Sequence, residues 1–67
     1  MPIIQVHLLQ GRSADAKRKF ADEVTQAACR CLDVQPEQVR MIFSDMPPEN
    51  YAIAGTLALD KNKKQGA

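Results

Sequence analysis

The sequence predicts an α/β fold: a single βαβ unit with parallel strands and a short C-terminal hairpin or arm, completed by oligomerisation. Two short apolar segments flank one long segment of helical periodicity, which is the order strand, helix, strand. Strands joined by a helix are expected to run parallel. The chain has only 67 residues, too few to bury a sizeable core without disulfides, metals or self-association.

The first strand and the helix have clear sequence signals. Residues Ile3–Leu9 are apolar with polar residues interleaved, as expected for a covered strand. After a turn at residues 10–13, Ser13 is a good N-cap and Asp15 suits the positive end of the helix dipole. The helix is predicted to run to about residue 32. Its apolar positions recur at helical spacing and form one stripe: Phe20, Val24, Ala27, Ala28, Cys31 and Leu32.

The second half of the chain contains a connector, a strand and a short arm. Residues 33–38 are predicted to form the connector, and residues 39–45 the second strand. In that strand Val39, Met41 and Phe43 take one face, while Arg40, Ile42 and Ser44 take the other. A short hairpin or arm is predicted at residues 51–55, followed by a segment at 56–59. We assign residues 1–61 to one domain and residues 62–67 to a flexible tail.

Such a unit should associate with copies of itself. A two-stranded parallel sheet with one helix leaves one sheet face and both sheet edges uncovered. Burying these surfaces against further copies is the favoured remedy for so small a core. The fold therefore predicts a homo-oligomer independently of any site.

Composition narrows the possible partners. The net charge of +1 argues against nucleic-acid or membrane binding, and the basic run at residues 17–19 is interpreted as a solvated helix face. Cys29 and Cys31 lie too close in a helix to pair with each other, and with His7 they make no plausible zinc set. We therefore predict no metal and no cofactor. Reduced thiols are typical of the cytosol, and the sequence shows neither an apparent signal peptide nor a membrane-spanning segment. We therefore expect the protein in the cytoplasm.

Pro2 is the most informative single residue. Methionine ahead of a small residue such as proline is usually removed, which would leave Pro2 with a free secondary amine. Apolar neighbours and nearby cations disfavour a protonated amine, and a base works best when its pKa lies near the working pH. The simpler interpretation is that Pro2 only begins a strand, where its missing N–H costs nothing. If Met1 is retained, the nitrogen is an amide and not a base.

Arg12 and Arg40 are candidate carboxylate ligands, because a guanidinium can hold a carboxylate through two parallel hydrogen bonds. Arg40 begins the second strand and, in a parallel pair, lies at the same sheet end as Pro2. Arg12 follows the far end of the first strand, roughly 25–30 Å from Pro2 at about 3.3 Å per residue. It would instead serve the Pro2 of a partner whose first strand runs antiparallel alongside. Taken singly, either arginine is also an ordinary surface charge.

Tyr51 is the only tyrosine and precedes an apolar segment. It suits the wall of an apolar pocket that keeps water from an amine, or packing at an oligomer interface. These features together resemble the 4-oxalocrotonate tautomerase family: an N-terminal proline, a strand ending in Leu-x-Gly-Arg-Ser, a helix, and a later Val-Arg and aromatic residue. The matching segments span Pro2 to about Lys61 and read PIIQVHLLQGRS, CLD, VRMIFSDMP and NYAIAG.

The resemblance implies a hexamer built as a trimer of dimers, with Pro2 as general base. The implied reaction is tautomerisation of an unsaturated 2-hydroxy or 2-oxo dicarboxylate such as 2-hydroxymuconate, in the breakdown of aromatic compounds. Arg12 and Arg40 would bind the two substrate carboxylates, and Tyr51 would line the pocket where the family typically carries phenylalanine. Leu9 and Gln38 are further predicted substrate contacts.

Two alternatives remain open from the sequence. The same residues would suit a cofactor-independent dehalogenase that adds water to a haloacrylate, for which Asp45 or Glu49 would have to activate the water. A non-catalytic oligomeric module that binds an acidic metabolite is the second alternative, favoured if Met1 is retained.

Overall fold

The computed structural model describes residues 1–61, and its elements follow the predicted order. Strand β1 (Ile3–Leu9) leads into helix α1 (Ala14–Leu32), which is followed by strand β2 (Arg40–Met46). Strands β1 and β2 pair in parallel, which confirms the βαβ unit. Strands β3 (Ala52–Ile53) and β4 (Thr56–Leu57) form a separate antiparallel hairpin. The flexible tail predicted at residues 62–67 lies outside the described residues.

Local hydrogen bonds place both ends of α1 where the sequence predicts them. The Ser13 side chain accepts a hydrogen bond from the backbone N–H of Ala16 at 3.1 Å, which satisfies one of the free donors of the first turn. At the other end Asp33 adopts the left-handed conformation, with φ of 56°, and its N–H donates to the carbonyl of Cys29. This bond closes the last turn and reverses the chain.

Strand β2 is shifted by one residue from its predicted bounds of 39–45. The Val39 N–H donates to the carbonyl of Pro36 at 3.1 Å and so belongs to the preceding 3-10 turn (Pro36–Gln38). At the other end Met46 pairs with Leu9, and its carbonyl accepts from the N–H of Gln10 at 2.9 Å. Because one backbone N–H donates to either the turn or the strand ladder, residue 39 belongs to the turn. At the other end the strand extends to residue 46.

The helix covers one face of the sheet only in part. Alternate residues of β1 are half-buried under α1, and the ring of Phe20 meets that of Phe43 edge-on at 6.2 Å. Of the predicted helix stripe, the middle is half-buried, but Phe20, Cys31 and Leu32 are exposed, Leu32 to 59%. A sheet of two strands, each about 5 Å across, is no wider than a helix of about 10–12 Å with its side chains. One chain therefore cannot cover the whole stripe.

The C-terminal hairpin confirms the predicted arm. Its turn places Ala54 at φ 52° and Gly55 at φ 82°, the two consecutive positive values of a type I′ turn, which matches the twist of paired strands. The N–H of Ala58 donates to the carbonyl of Tyr51 at 2.8 Å and closes the base of the arm. The hairpin also includes Thr56 and Leu57, which the sequence predicted as part of a separate segment at 56–59, and residues 58–61 are helical. Ile53 remains 61% exposed on the arm.

No residue of the described chain is buried, so a single copy has no core. The accessible surface is 5284 Å², against about 4,200 Å² for a compact monomer of this size. The radius of gyration is 15.9 Å, where a compact chain of this length has about 11 Å. The sheet face opposite α1 leaves apolar side chains such as Ile3 and Ile42 exposed to 57% and 47%. These surfaces are the physical reason to expect self-association.

We therefore expect the stability of the protein to depend on its concentration. If chains fold only by burying surface against one another, each tenfold increase in chain concentration should add about 1.4 kcal/mol per pairwise association step to the free energy of unfolding. Chemical denaturation followed by circular dichroism across a hundredfold dilution series measures this shift. A constant midpoint, together with the mass of a single chain by light scattering, would contradict the expectation.

Candidate active site

Pro2 and Arg40 lie side by side at one end of the sheet. The carbonyl of Pro2 accepts a hydrogen bond from the N–H of Arg40 at 3.0 Å, and the next residue, Ile3, pairs with Arg40 in the ladder. Parallel pairing thus places Arg40 at the Pro2 end, as predicted. Pro2 is half-buried, whereas Met1 ahead of it is 67% exposed and joins its nitrogen in an amide. Anchoring its carbonyl holds Pro2 at a fixed point beside the second strand.

Arg40 lies on the sheet face that α1 leaves uncovered. It is exposed, and no carboxylate within residues 1–61 forms an ion pair with it. Gln38, two residues earlier, uses its side-chain oxygen to accept from the N–H of Gln35 at 2.8 Å. This bond holds the Gln38 side chain against the turn, while its two amide N–H donors form no described hydrogen bond.

Arg12 and Leu9 lie at the opposite end of the sheet from Pro2. Leu9 pairs with Met46 at the last position of the ladder, and Arg12 follows in the turn before α1. The seven residues of β1 span about 23 Å at roughly 3.3 Å per residue. Within one chain the structure therefore keeps Arg12 away from Pro2, in agreement with the predicted separation.

Arg12 borders an open, largely apolar cavity of about 230 Å³ between α1 and the sheet. Its other lining residues are Val6, Leu8, Ala16, Lys17, Phe20 and Phe43. Arg12 forms no ion pair with a described carboxylate, although Lys17 beside it does. A cation that is free of protein carboxylates at the edge of an apolar cavity suits the carboxylate of a partly apolar ligand.

Lys17 is the residue that the sequence interpretation placed wrongly. The sequence predicts a solvated helix face, but the Lys17 side chain is only 27% exposed, and its ammonium lies 2.7 Å from a carboxylate oxygen of Asp45 on β2. The signal was present in the spacing, since Lys17 precedes Phe20 by three residues and Val24 by seven. These intervals put it on the same helix face as the apolar stripe.

Tyr51 follows the end of β2 that lies opposite Pro2. It comes directly after a 3-10 turn at Pro48–Asn50 and is 41% exposed. Its backbone carbonyl is fixed by Ala58 at the base of the hairpin, so the position of its ring depends on the arm. Like Arg12, Tyr51 therefore lies beyond the end of the sheet that is opposite its own Pro2.

Two negative findings apply to residues 1–61. No three or more histidine, cysteine, aspartate or glutamate side chains of this region group closely enough to hold a metal ion. The helices of the same region include none with the length and apolar character needed to cross a membrane. Cys29 and Cys31 are both free thiols.

Comparison with known proteins supports the resemblance over nearly the whole chain. The family model described as tautomerase enzyme matches residues 2–61. A 2-hydroxymuconate tautomerase of Pseudomonas putida is 40% identical over 63 residues, which cover 94% of this chain and all of that protein. A structure from the 4-oxalocrotonate tautomerase isozymes of Methylibium petroleiphilum superposes with a TM-score of 0.87 at 38% identity, covering 98% of this chain and 100% of that one.

A third relative carries information on assembly. A heterohexameric 4-oxalocrotonate tautomerase from Chloroflexus aurantiacus matches with a TM-score of 0.85 at 28% identity, over 91% of this chain and 98% of that one. The predicted fold class and isomerase class are therefore both confirmed. From its sequence match and its βαβ structure, the chain belongs to the tautomerase enzyme family.

Proposed function

We propose that this enzyme ketonises an unsaturated 2-hydroxy dicarboxylate of the 2-hydroxymuconate type, with the amine of Pro2 as general base after removal of Met1. The observation that carries the proposal is the backbone hydrogen bond between Pro2 and Arg40, which holds a candidate base beside a candidate carboxylate ligand. The small residue at position 2 supports processing, because methionine ahead of such a residue is usually removed. The family match, which begins at residue 2, agrees with this proposal.

The reaction requires one proton to move between two atoms of the substrate. The nitrogen of Pro2 takes the proton from the dienol hydroxyl, and the resulting ammonium returns it to a carbon further along the conjugated chain. No atom is gained or lost. Arg40 binds one carboxylate and the adjacent oxygen, whose negative charge grows as the proton leaves, and Arg12 binds the other carboxylate. Neither arginine can act as the base, since guanidinium stays protonated.

The proposed site is shared between chains. Arg12 and Tyr51 lie beyond the sheet end opposite Pro2, so they reach a Pro2 only if it belongs to another copy. An antiparallel neighbour along the free edge of β1 would bring its Leu9 and Arg12 to this Pro2. We propose a homohexamer made of three such dimers, and the heterohexameric relative supports this number.

Three further residues complete the proposed pocket. Tyr51 walls it and limits water around the amine, while its hydroxyl adds one polar group. Leu9, on the uncovered sheet face, supplies apolar contact, and Gln38 donates from its amide group. We propose that residues 1–61 form this catalytic domain. The free thiols and the aromatic-derived substrate class suggest a cytoplasmic role in the breakdown of aromatic compounds.

The dehalogenase alternative is weakened by the position of Asp45. Activation of water for attack on a haloacrylate needs a carboxylate that is free to accept a proton, and Asp45 is paired with Lys17 at 2.7 Å. Glu49 remains the other candidate, and it is exposed in the turn before Tyr51. The non-catalytic alternative depends on retention of Met1.

Two measurements test the proposal directly. Intact-mass spectrometry shows whether the chain begins at Pro2, and a spectrophotometric assay follows ketonisation of 2-hydroxymuconate. We expect a chain that lacks Met1 and a rate well above the uncatalysed one. A halide-release assay with 3-chloroacrylate should give little turnover by comparison. Retained Met1 without ketonisation would support the binding module, and fast halide release would support the dehalogenase.

A further inference from the structure

The ion pair between Lys17 and Asp45 joins parts of the chain that are 28 residues apart. The Lys17 ammonium on α1 lies 2.7 Å from Asp45 at the end of β2, and the two side chains are 27% and 41% exposed. Ion pairs with this degree of exposure contribute little to stability, because water screens them and ordering the side chains costs entropy. The proposed mechanism uses neither residue as a base or a substrate ligand.

The pair lies beside the proposed carboxylate ligand Arg12. Lys17, Arg12 and Leu8 line the same cavity, and Asp45 is the ladder partner of Leu8. Asp45 is therefore a carboxylate on the sheet face below α1, joined through Lys17 to the cavity that Arg12 borders. The other carboxylate near the start of the helix, Asp15, is paired with Arg18.

We propose that Lys17 is a positioning residue: it occupies Asp45 and so keeps the guanidinium of Arg12 free for the substrate. A free carboxylate would compete for Arg12, since the arginine fork binds carboxylates in two parallel hydrogen bonds. It would also repel a dicarboxylate approaching the same cavity edge. This inference rests on the proposed function, in which Arg12 binds a substrate carboxylate.

The inference predicts an effect on substrate binding that a second substitution reverses. In Lys17→Met, which keeps an unbranched apolar stem but removes the charge, we expect KM for 2-hydroxymuconate to rise about fivefold with little change in kcat. In the double variant Lys17→Met/Asp45→Asn, KM should return to near its original value, because the competing charge is gone. Lys17→Arg should keep the original KM, since it can still pair with Asp45.

Lys19→Ala is the matched control. It removes a lysine that is exposed on the same helix and has no described ion-pair partner, and it should leave KM unchanged. Light scattering on every variant confirms that the assembly is intact. Titration calorimetry with muconate, which lacks the reacting hydroxyl, should show the same loss and recovery in Kd without turnover.

The outcomes separate this inference from the proposed function. A rise in KM that Asp45→Asn does not reverse would show that Lys17 acts as a structural brace, which overturns the positioning role. An unchanged KM in Lys17→Met would also overturn the positioning role of Lys17. In that case the substrate role of Arg12 would still be supported if Arg12→Ala raises KM. If Arg12→Ala leaves KM unchanged, the substrate role of Arg12 fails and the positioning role fails with it.

Discussion

Substitution of Pro2 by alanine is expected to lower kcat for ketonisation of 2-hydroxymuconate by about 10²-fold or more, the usual contribution of a general base. Alanine still allows removal of Met1, so the variant begins with an amine, but this amine is primary and lacks the ring that positions the nitrogen. The backbone bond from Arg40 to the carbonyl of residue 2 does not need the ring and should persist. Steady-state kinetics on chains of verified mass measure the loss.

Lys19→Ala is the control for this experiment. Lys19 is exposed on α1 and forms no described ion pair, so its replacement should leave kcat close to that of the original protein. Equal rates for the original protein and Pro2→Ala, with Met1 removed from both, would contradict the proline mechanism. The arginines would then have to act with a different base.

Mixing two inactive variants is expected to restore activity. Arg12→Ala removes a charged ligand and should lower kcat/KM by about 10- to 150-fold, since a hydrogen-bonded charged group contributes about 1.5–3 kcal/mol. Pro2→Ala chains still carry Arg12, and Arg12→Ala chains still carry Pro2. If each site takes the two residues from different chains, an equal mixture should contain about one quarter intact sites after subunit exchange. The assay is ketonisation after joint unfolding and refolding.

A chain that carries both substitutions provides the control. Mixed with either single variant it cannot form an intact site, so its mixtures should stay as inactive as their components. Native mass spectrometry verifies that mixed assemblies have formed. No recovery in verified mixed assemblies would mean that Pro2 and Arg12 act within one chain, against the separation along β1.

The predicted fold is accurate where the signals are local. The N-cap at Ser13 and the left-handed residue Asp33 act within a few residues, and they give α1 the predicted bounds. Strand β2 is shifted by one residue because the N–H of Val39 is taken by a turn that competes with the ladder. That competition depends on the geometry of the connector, which hydrophobic periodicity does not record.

In the candidate site, too, some features could be predicted from the sequence and others depend on the folded structure. The proximity of Pro2 and Arg40 could be predicted, because parallel pairing of two recognisable strands leaves little freedom in their relative position. The contact between Lys17 and Asp45 was missed. Those residues lie 28 positions apart, and only the packing of α1 against β2 brings their side chains together.

The order of the elements, the family and the identity of the candidate base can all be read from the chain alone, because capping residues, alternation and an N-terminal proline act locally. Only the folded structure shows which surfaces are covered and which distant residues lie close together. It shows that one copy covers too little of its apolar stripe to bury a single described residue, because a sheet of two strands is no wider than the helix that lies on it. It also shows Arg12 and Arg40 at opposite sheet ends, both without carboxylate partners among the described residues.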